Sequence, residues 1–274
     1  MNKHVRSGFT DILYDKKDGI ATVTINRPET YNSVTQHSME EMIAAFRDAS
    51  EDDEIGVIIL TGAGEKSFCS GGNIQAISER TSQVKRTHLR VMAQLAIAMR
   101  TAAKPLIAAV NGYAIGLGNE LHLICDITIA AEHAKFGQTG PKIGSVPVWS
   151  ATQLLHRTVG EKRAREILYF CRQYTAQQAL AMGLINHVVP MAELHSTAVA
   201  WAQELLDKSP QTLRIAKLAF NAESDQSFWS GMFAGSELLS MHIDSEEFIE
   251  GPKAWLEKRK PNFRQYRKKL VRKA

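Results

Sequence analysis

Gly56-Val57-Ile58-Ile59-Leu60-Thr61-Gly62 leads through a short polar bridge to Cys69-Ser70-Gly71-Gly72-Asn73. Pro105-Leu106-Ile107-Ala108-Ala109-Val110-Asn111-Gly112 leads in the same way to Gly116-Leu117-Gly118-Asn119-Glu120. A short, continuous apolar run closed by glycine reads as a buried strand. Glycine beyond such a strand lets backbone approach a ligand, because no Cβ intervenes. Two turns of this kind can aim two peptide N–H groups at one oxygen and stabilise a developing oxyanion. A carboxylate, Glu120, stands just past the second turn, placed like an acid/base.

Working outward, the chain reads as α/β at first and helical later. Asp18-Gly19 signals a hairpin between Ile12-Leu13-Tyr14 and the alternating run Ile20 to Ile25. Ser38 or a neighbour opens a helix carrying Met39, Met42, Ile43 and Phe46 at helical spacing. A second helix, from about Thr81 to Arg100, places Leu89, Met92, Ala96 and Met99 on one face. Gly118 opens a short helix, and Ile127 to Ala130 forms a further strand. Alternating strands and helices imply right-handed crossovers and largely parallel pairing. After about residue 195 the periodic segments are helical: Thr197 to Leu206, Pro210 to Phe220, Phe228 to Met241, and one near Ala254 to Arg259. The expected division is therefore 1–195 for the core carrying the site and 196–274 for a helical region.

Composition bounds the rest. The 274 residues, 44% hydrophobic, can bury a large core. No apolar run reaches the eighteen residues of a membrane span, and the first residues lack the apolar stretch of a signal peptide. Cys69, Cys125 and Cys171 show no metal-like pairing and read as reduced thiols, giving the expectation of a cytoplasmic protein. No His/Asp/Cys set has metal-ligand spacing, and no Gly-x-Gly-x-x-Gly follows a first strand, so neither zinc nor NAD is implied.

Cys69 to Asn73, then Asn111-Gly112-Tyr113-Ala114-Ile115 to Glu120, then Phe136-Gly137-Gln138, resemble in order the enoyl-CoA hydratase/isomerase (crotonase) superfamily. The likeness runs from the opening hairpin to Lys258-Arg259-Lys260-Pro261. It implies a ββα spiral core, a C-terminal helical trimerisation region, an acyl-CoA thioester substrate and trimers paired into hexamers. It also implies that the N–H groups of Gly72 and Leu117 grip the thioester oxygen and that Glu120 is the acid/base. Ser70, Gly71, Asn73 and Ile74 would line the path of the coenzyme, with Gln138, Thr139 and Gly140 also at the substrate; Trp149, in the unusual wall Pro147-Val148-Trp149, either narrows the acyl pocket or packs in the core. Arg27 and Lys258 would meet its phosphates. Leu117 stands where glycine is commoner, which a main-chain donor tolerates if φ stays negative. Helix faces bearing Trp201, Leu205, Phe228, Phe233 and Leu238 would form the trimer contact or pack the helical region's own core.

The chain also departs from the hydratases. They carry a second glutamate four positions after the Phe of Phe-Gly-Gln, where this chain has Gly140. Phe136-Gly137-Gln138-Thr139-Gly140-Pro141-Lys142-Ile143-Gly144-Ser145 and Arg165 to Tyr174 instead resemble the 1,4-dihydroxy-2-naphthoyl-CoA synthases and the ring-opening 2-ketocyclohexanecarboxyl-CoA hydrolases. In some such synthases the glycine leaves room for a bicarbonate that replaces the carboxylate. That branch in turn has an Asp where this chain has Pro147, an aromatic where it has Ile243, and no acid at the place of Glu120. The expectation is enolate chemistry on an acyl-CoA, with hydration or dehydration first, ring closure or opening and isomerisation as alternatives, no tightly bound cofactor, and bicarbonate as a possible helper. His122, two residues past Glu120, turns away into the core. The basic run Arg264 to Lys273 leaves RNA binding as a remote alternative, against which the net charge of only +4 weighs.

Overall fold

The computed structural model describes residues 8–73 and 82–270, with the side chains of 82–85 and 268–270 excepted. The chain opens with β1 (Ile12–Lys17) and β2 (Ile20–Ile25), paired antiparallel with Lys17 opposite Ile20. Asp18 (φ 51°) and Gly19 (φ 79°) make the two-residue turn. Two successive positive φ values match the twist of a hairpin, which is why Asp-Gly stands there.

The helix α1 (Gln36–Glu51) buries Met39, Met42, Ile43 and Phe46, as their spacing requires. Its cap is Thr35, and Ser38 closes the capping box from the third helical position. Then come β3 (Val57–Gly62), β4 (Ser67–Cys69), α2 (Ser82–Arg100), β5 (Leu106–Val110), β6 (Tyr113–Ile115) and α3 (Leu117–Ile124). The cap of α3 is Gly116, at φ 58°, and Gly118 lies inside the helix rather than opening it. A third passage brings β7 (Ile127–Ala131), β8 (Lys135–Gly137), α4 (Ala151–Val159) and α5 (Glu161–Phe170), followed by β9 (Gln173–Thr175), α6 (Ala176–Ala181) and β10 (His187–Val189).

Each passage thus lays one strand in a large sheet, one in a small sheet, and then a helix. The large sheet has the order β1-β2-β3-β5-β7-β10 and the small one β4-β6-β8-β9. Pairing is parallel apart from β1 with β2 and β8 with β9. This is the ββα spiral that the resemblance implies. The strands β3 and β5 are apolar almost throughout because both faces of the large sheet are covered.

One covering element is α7 (Met191–Leu206), whose Leu194, Ala198 and Ala202 pack on Val57, Ile59, Ile107 and Ile129. Residue 195 therefore falls within a helix seated on the core. The segments expected at Pro210 to Phe220 and Phe228 to Met241 are one helix, α8 (Pro210–His242). The polar stretch between them continues the helix because tertiary partners meet it. Asn221 Nδ2 donates to Arg100 O at 2.9 Å, Ser224 Oγ accepts from Arg100 Nη2 at 2.9 Å, and Asp225 accepts from Arg100 Nε at 2.8 Å. The last helix, α9 (Glu246–Leu256), lies earlier than expected, after the cap Ser245. No helix among the described residues is long and apolar enough to cross a membrane.

Candidate active site

The two glycine turns meet because β4 and β6 are parallel neighbours, Ser67 opposite Tyr113 and Cys69 opposite Ala114. Both strands end at the same edge, so their following turns lie side by side. A Cβ on Gly118 would come within 1.9 Å of Cys69 O, so only glycine lets α3 start this close to β4. Gly71 (φ 116°) and Gly116 (φ 58°) both occupy the left-handed side of the backbone map. A Cβ on Gly71 would lie 3.9 Å from Leu117 N.

The N–H groups of Gly72 and Leu117 have no acceptor among the described residues, and both residues line one cavity. Leu117 N–H is free because it belongs to the first turn of a helix. Leu117 keeps a negative φ, so its side chain imposes no backbone penalty. The first turn is pinned from outside: Val34 N donates to Gly71 O at 2.9 Å, Asn73 N to Val34 O at 3.2 Å, and Ser70 N to Tyr31 O at 3.1 Å.

Glu120 lines the same cavity and is 4% exposed. Its Oε1 accepts from Ser150 N at 2.9 Å and from Ala151 N at 3.1 Å, the amides of the cap and first residue of α4. Burial pushes the carboxyl up from 4.5 to about 7, while the amides of Ser150, Ala151 and Trp149 pull in the opposite direction. A carboxyl poised near neutrality suits proton transfer. His122 faces the other way, with Nε2 3.1 Å from Asn119 Oδ1 and Nδ1 3.3 Å from Thr128 Oγ1; burial pushes its imidazole down to about 3. It is a core histidine. Cys69 lies buried behind the first turn, its thiol pushed up to about 12, which makes it inert.

The cavity has a volume of about 170 Å³, the scale that accommodates a single benzene ring. Of the residues singled out from the sequence, Ser70, Gly71, Gly72, Leu117, Glu120, Gln138, Thr139, Gly140 and Trp149 line it. Gln138 donates from Nε2 to Gly116 O at 3.3 Å, and its buried Oε1 has no partner among the described residues. Trp149 is both wall and core: 2% exposed, it donates from Nε1 to Met92 O at 2.5 Å.

Asn73, Arg27 and Lys258 lie outside the lining. Arg27 Nη1 is held by Asp11 Oδ1 at 2.8 Å, and Lys258 is exposed beyond the end of α9. Ile74 falls outside the described residues. Sequence reading missed His88, Leu89 and Met92 of α2, and Leu239 and Phe248 from the helical region, as lining residues; Ile243, where the synthases carry an aromatic, lines the cavity too. The face of α2 marked by Met92 carries His88 one turn earlier, so the helical period contained that signal. The contributions from α8 and α9 have no local signal.

Gly140 lines the cavity, but the space next to its Cα is crowded. A Cβ there would meet Pro147 Cδ at 2.8 Å and Ser145 O at 2.9 Å. The proline ring fills the space, the nearest polar atom is a carbonyl oxygen that repels negative charge, and no Lys or Arg is among the described lining residues. Beside Gly140, then, a side chain would be crowded, and the described lining residues offer an anion no cationic partner.

Known proteins resemble this chain over most of its length. The enoyl-CoA hydratase/isomerase family model matches residues 15–267. An enoyl-CoA hydratase of Mycobacterium avium subsp. paratuberculosis K-10 is 30% identical, with a TM-score of 0.83, over 93% of this chain and 99% of that one. An enoyl-CoA hydratase of Bacillus anthracis is likewise 30% identical, with a TM-score of 0.75 over the same shares. One of Bacillus halodurans, 22% identical, shares the fold with a TM-score of 0.84 over 89% of this chain and 100% of that one. With the family matched over nearly the whole chain and the paired turns and Glu120 gathered at one cavity, this protein belongs to the enoyl-CoA hydratase/isomerase (crotonase) family.

Proposed function

We propose that the chain acts on an acyl-CoA thioester, stabilises its enolate between the N–H groups of Gly72 and Leu117, and uses it to add water to, or remove water from, an enoyl-CoA. The observation that carries this reading is the convergence of those two donors and Glu120 on one mostly apolar cavity. Donors aimed at the thioester oxygen favour the transition state because charge develops there, and each is worth about 3 kcal/mol. Glu120 lies one turn along α3 from Leu117, so it reaches the carbon next to the carbonyl held at that turn. Near neutrality it can take or give the α-proton. Ser70, Gly71, Asn73 and Ile74 are offered as the coenzyme's path, and Arg27 and Lys258 as its phosphate contacts.

The absence of a carboxylate at Gly140 favours one second reading. Moving a double bond along the acyl chain needs only one group to shuttle a proton between carbons of the same enolate, and Glu120 would suffice. Assaying crotonyl-CoA for hydration and 3-enoyl-CoA for isomerisation, in wild type and Glu120→Gln, tests both. Loss of hydration in the variant, from a wild type that hydrates, is the expected result. Retention of more than a tenth of wild-type kcat would remove Glu120 from the reaction.

A further inference from the structure

Adding water to a double bond takes two proton movements, one from the water and one to the α-carbon. Among the described residues lining the cavity, Glu120 and His88 are the two whose side-chain types exchange a proton near neutral pH; the remaining polar ones are Ser, Thr and Gln. The two come from different elements, Glu120 from α3 and His88 from α2.

Their elements are registered by a short chain of contacts. His88 lies one turn before Met92, whose carbonyl accepts from Trp149 Nε1 at 2.5 Å. Trp149 adjoins Ser150, whose amide holds Glu120 Oε1 at 2.9 Å. Leu89 and Met92 line the cavity beside His88, so this face of α2 forms one of its walls. His88 is half-buried.

We propose that His88 is the second proton-transfer group of this cavity, serving the water while Glu120 serves the α-carbon. This rests on the hydration reading above. In the forward direction the water oxygen bonds to Cβ and its proton passes to the His88 imidazole. The π pair moves onto the thioester as an enolate held by Gly72 and Leu117 N–H. Protonated Glu120 delivers its proton to Cα, and the imidazolium returns one proton to solvent while the carboxylate regains one. The net change is one water added across the double bond. An imidazole on α2 thus does what a second carboxylate at position 140 would do, where Pro147 leaves no room for one.

The test separates the two proton movements. Hydration of crotonyl-CoA needs both groups, whereas exchange of the α-protons of butyryl-CoA with D₂O needs Glu120 alone. His88→Gln is expected to lower kcat for hydration at least 100-fold and exchange less than 10-fold. His88→Glu is expected to recover at least a tenth of the wild-type hydration rate. Hydration by His88→Gln within threefold of wild type would overturn the assignment. So would an equal fall in both reactions, which marks a structural role, or a failure of His88→Glu to exceed His88→Gln. Wild-type protein that exchanges α-protons but adds no water overturns only the role of His88. Wild-type protein that does neither overturns the enolate reading itself, and this inference with it.

Discussion

Asn32 and Asn111 donate to the same acceptor: Asn32 Nδ2 lies 2.6 Å and Asn111 Nδ2 3.1 Å from Ser67 O. Both side chains are buried. Asn32 also donates to Ala63 O at 3.0 Å and Asn111 to Gly64 O at 2.7 Å, while Asn111 Oδ1 accepts from Gly62 N at 3.1 Å. Together they hold the bend between β3 and β4, and so the strand that ends at the first oxyanion turn. Asn32 takes up φ 55° to do so, next to Tyr31 at φ 54°.

Replacing Asn32 by Ala is expected to lower stability by about 1–3 kcal/mol, because Ala63 O loses this donor, Ser67 O keeps only Asn111, and alanine is strained at φ 55°. The same change should lower kcat more than it raises KM, since the N–H of Gly72 loses its alignment. Thermal unfolding and steady-state kinetics check the two; unchanged values of both would show that Asn111 suffices alone.

Glu120→Gln should cost about 10²–10⁴-fold in kcat with acyl-CoA binding kept. It should also stabilise the protein at pH 8. A carboxyl at 4.5 in the unfolded chain and about 7 in the folded one binds more protons when folded, so stability falls as pH rises between those values. The difference corresponds to about 3 kcal/mol at pH 8, which the amide avoids. Denaturant unfolding at pH 5 and pH 8 should show the variant's advantage growing with pH; an equal difference at both would refute a raised Glu120.

The rate of α-proton exchange should rise with pH through about 7 and then level, because only the carboxylate form of Glu120 accepts a proton. A rate already at its plateau at pH 5.5 would contradict this.

Gly140→Glu, which the hydratase pattern suggests as a gain, is expected to be a loss. Its Cβ would sit 2.8 Å from Pro147 Cδ and 2.9 Å from Ser145 O, and a backbone carbonyl has little freedom to move. Gly140→Ala alone should cost about 1–3 kcal/mol as an overpacked site. An alanine variant melting at the wild-type temperature would show that the loop yields.

We propose assembly into a trimer, supported by exposed apolar side chains on α8: Phe220 (82% exposed), Leu238 (68%) and Met241 (79%). Phe233 is exposed too, but Phe228 is buried, and Trp201 and Leu205 pack on the large sheet, so those three serve the protein's own core. Light scattering at micromolar concentration should give three or six times the 30.4 kDa of one chain. A monomer mass would sink the proposal.

Features set by near neighbours were legible in the sequence. The Asp-Gly hairpin, the apolar strands, the buried face of α1 and the two glycine turns each depend on backbone conformation or periodicity within a few residues. What the tertiary structure decided has no such local cause. The continuity of α8 depends on Arg100, which meets Asn221, Ser224 and Asp225 from another helix. The state of Glu120 depends on its burial, which raises it, and on the amides of Ser150 and Ala151, which oppose the rise. Whether Gly140 is an empty niche or a filled one depends on where Pro147 lands, and the placing of His88 on the cavity wall depends on α2 being docked by Trp149. A sequence specifies which side chains are apolar, charged or absent along the chain. Which of them share a cavity is settled by packing, because close contact excludes water and fixes the charge each group can carry.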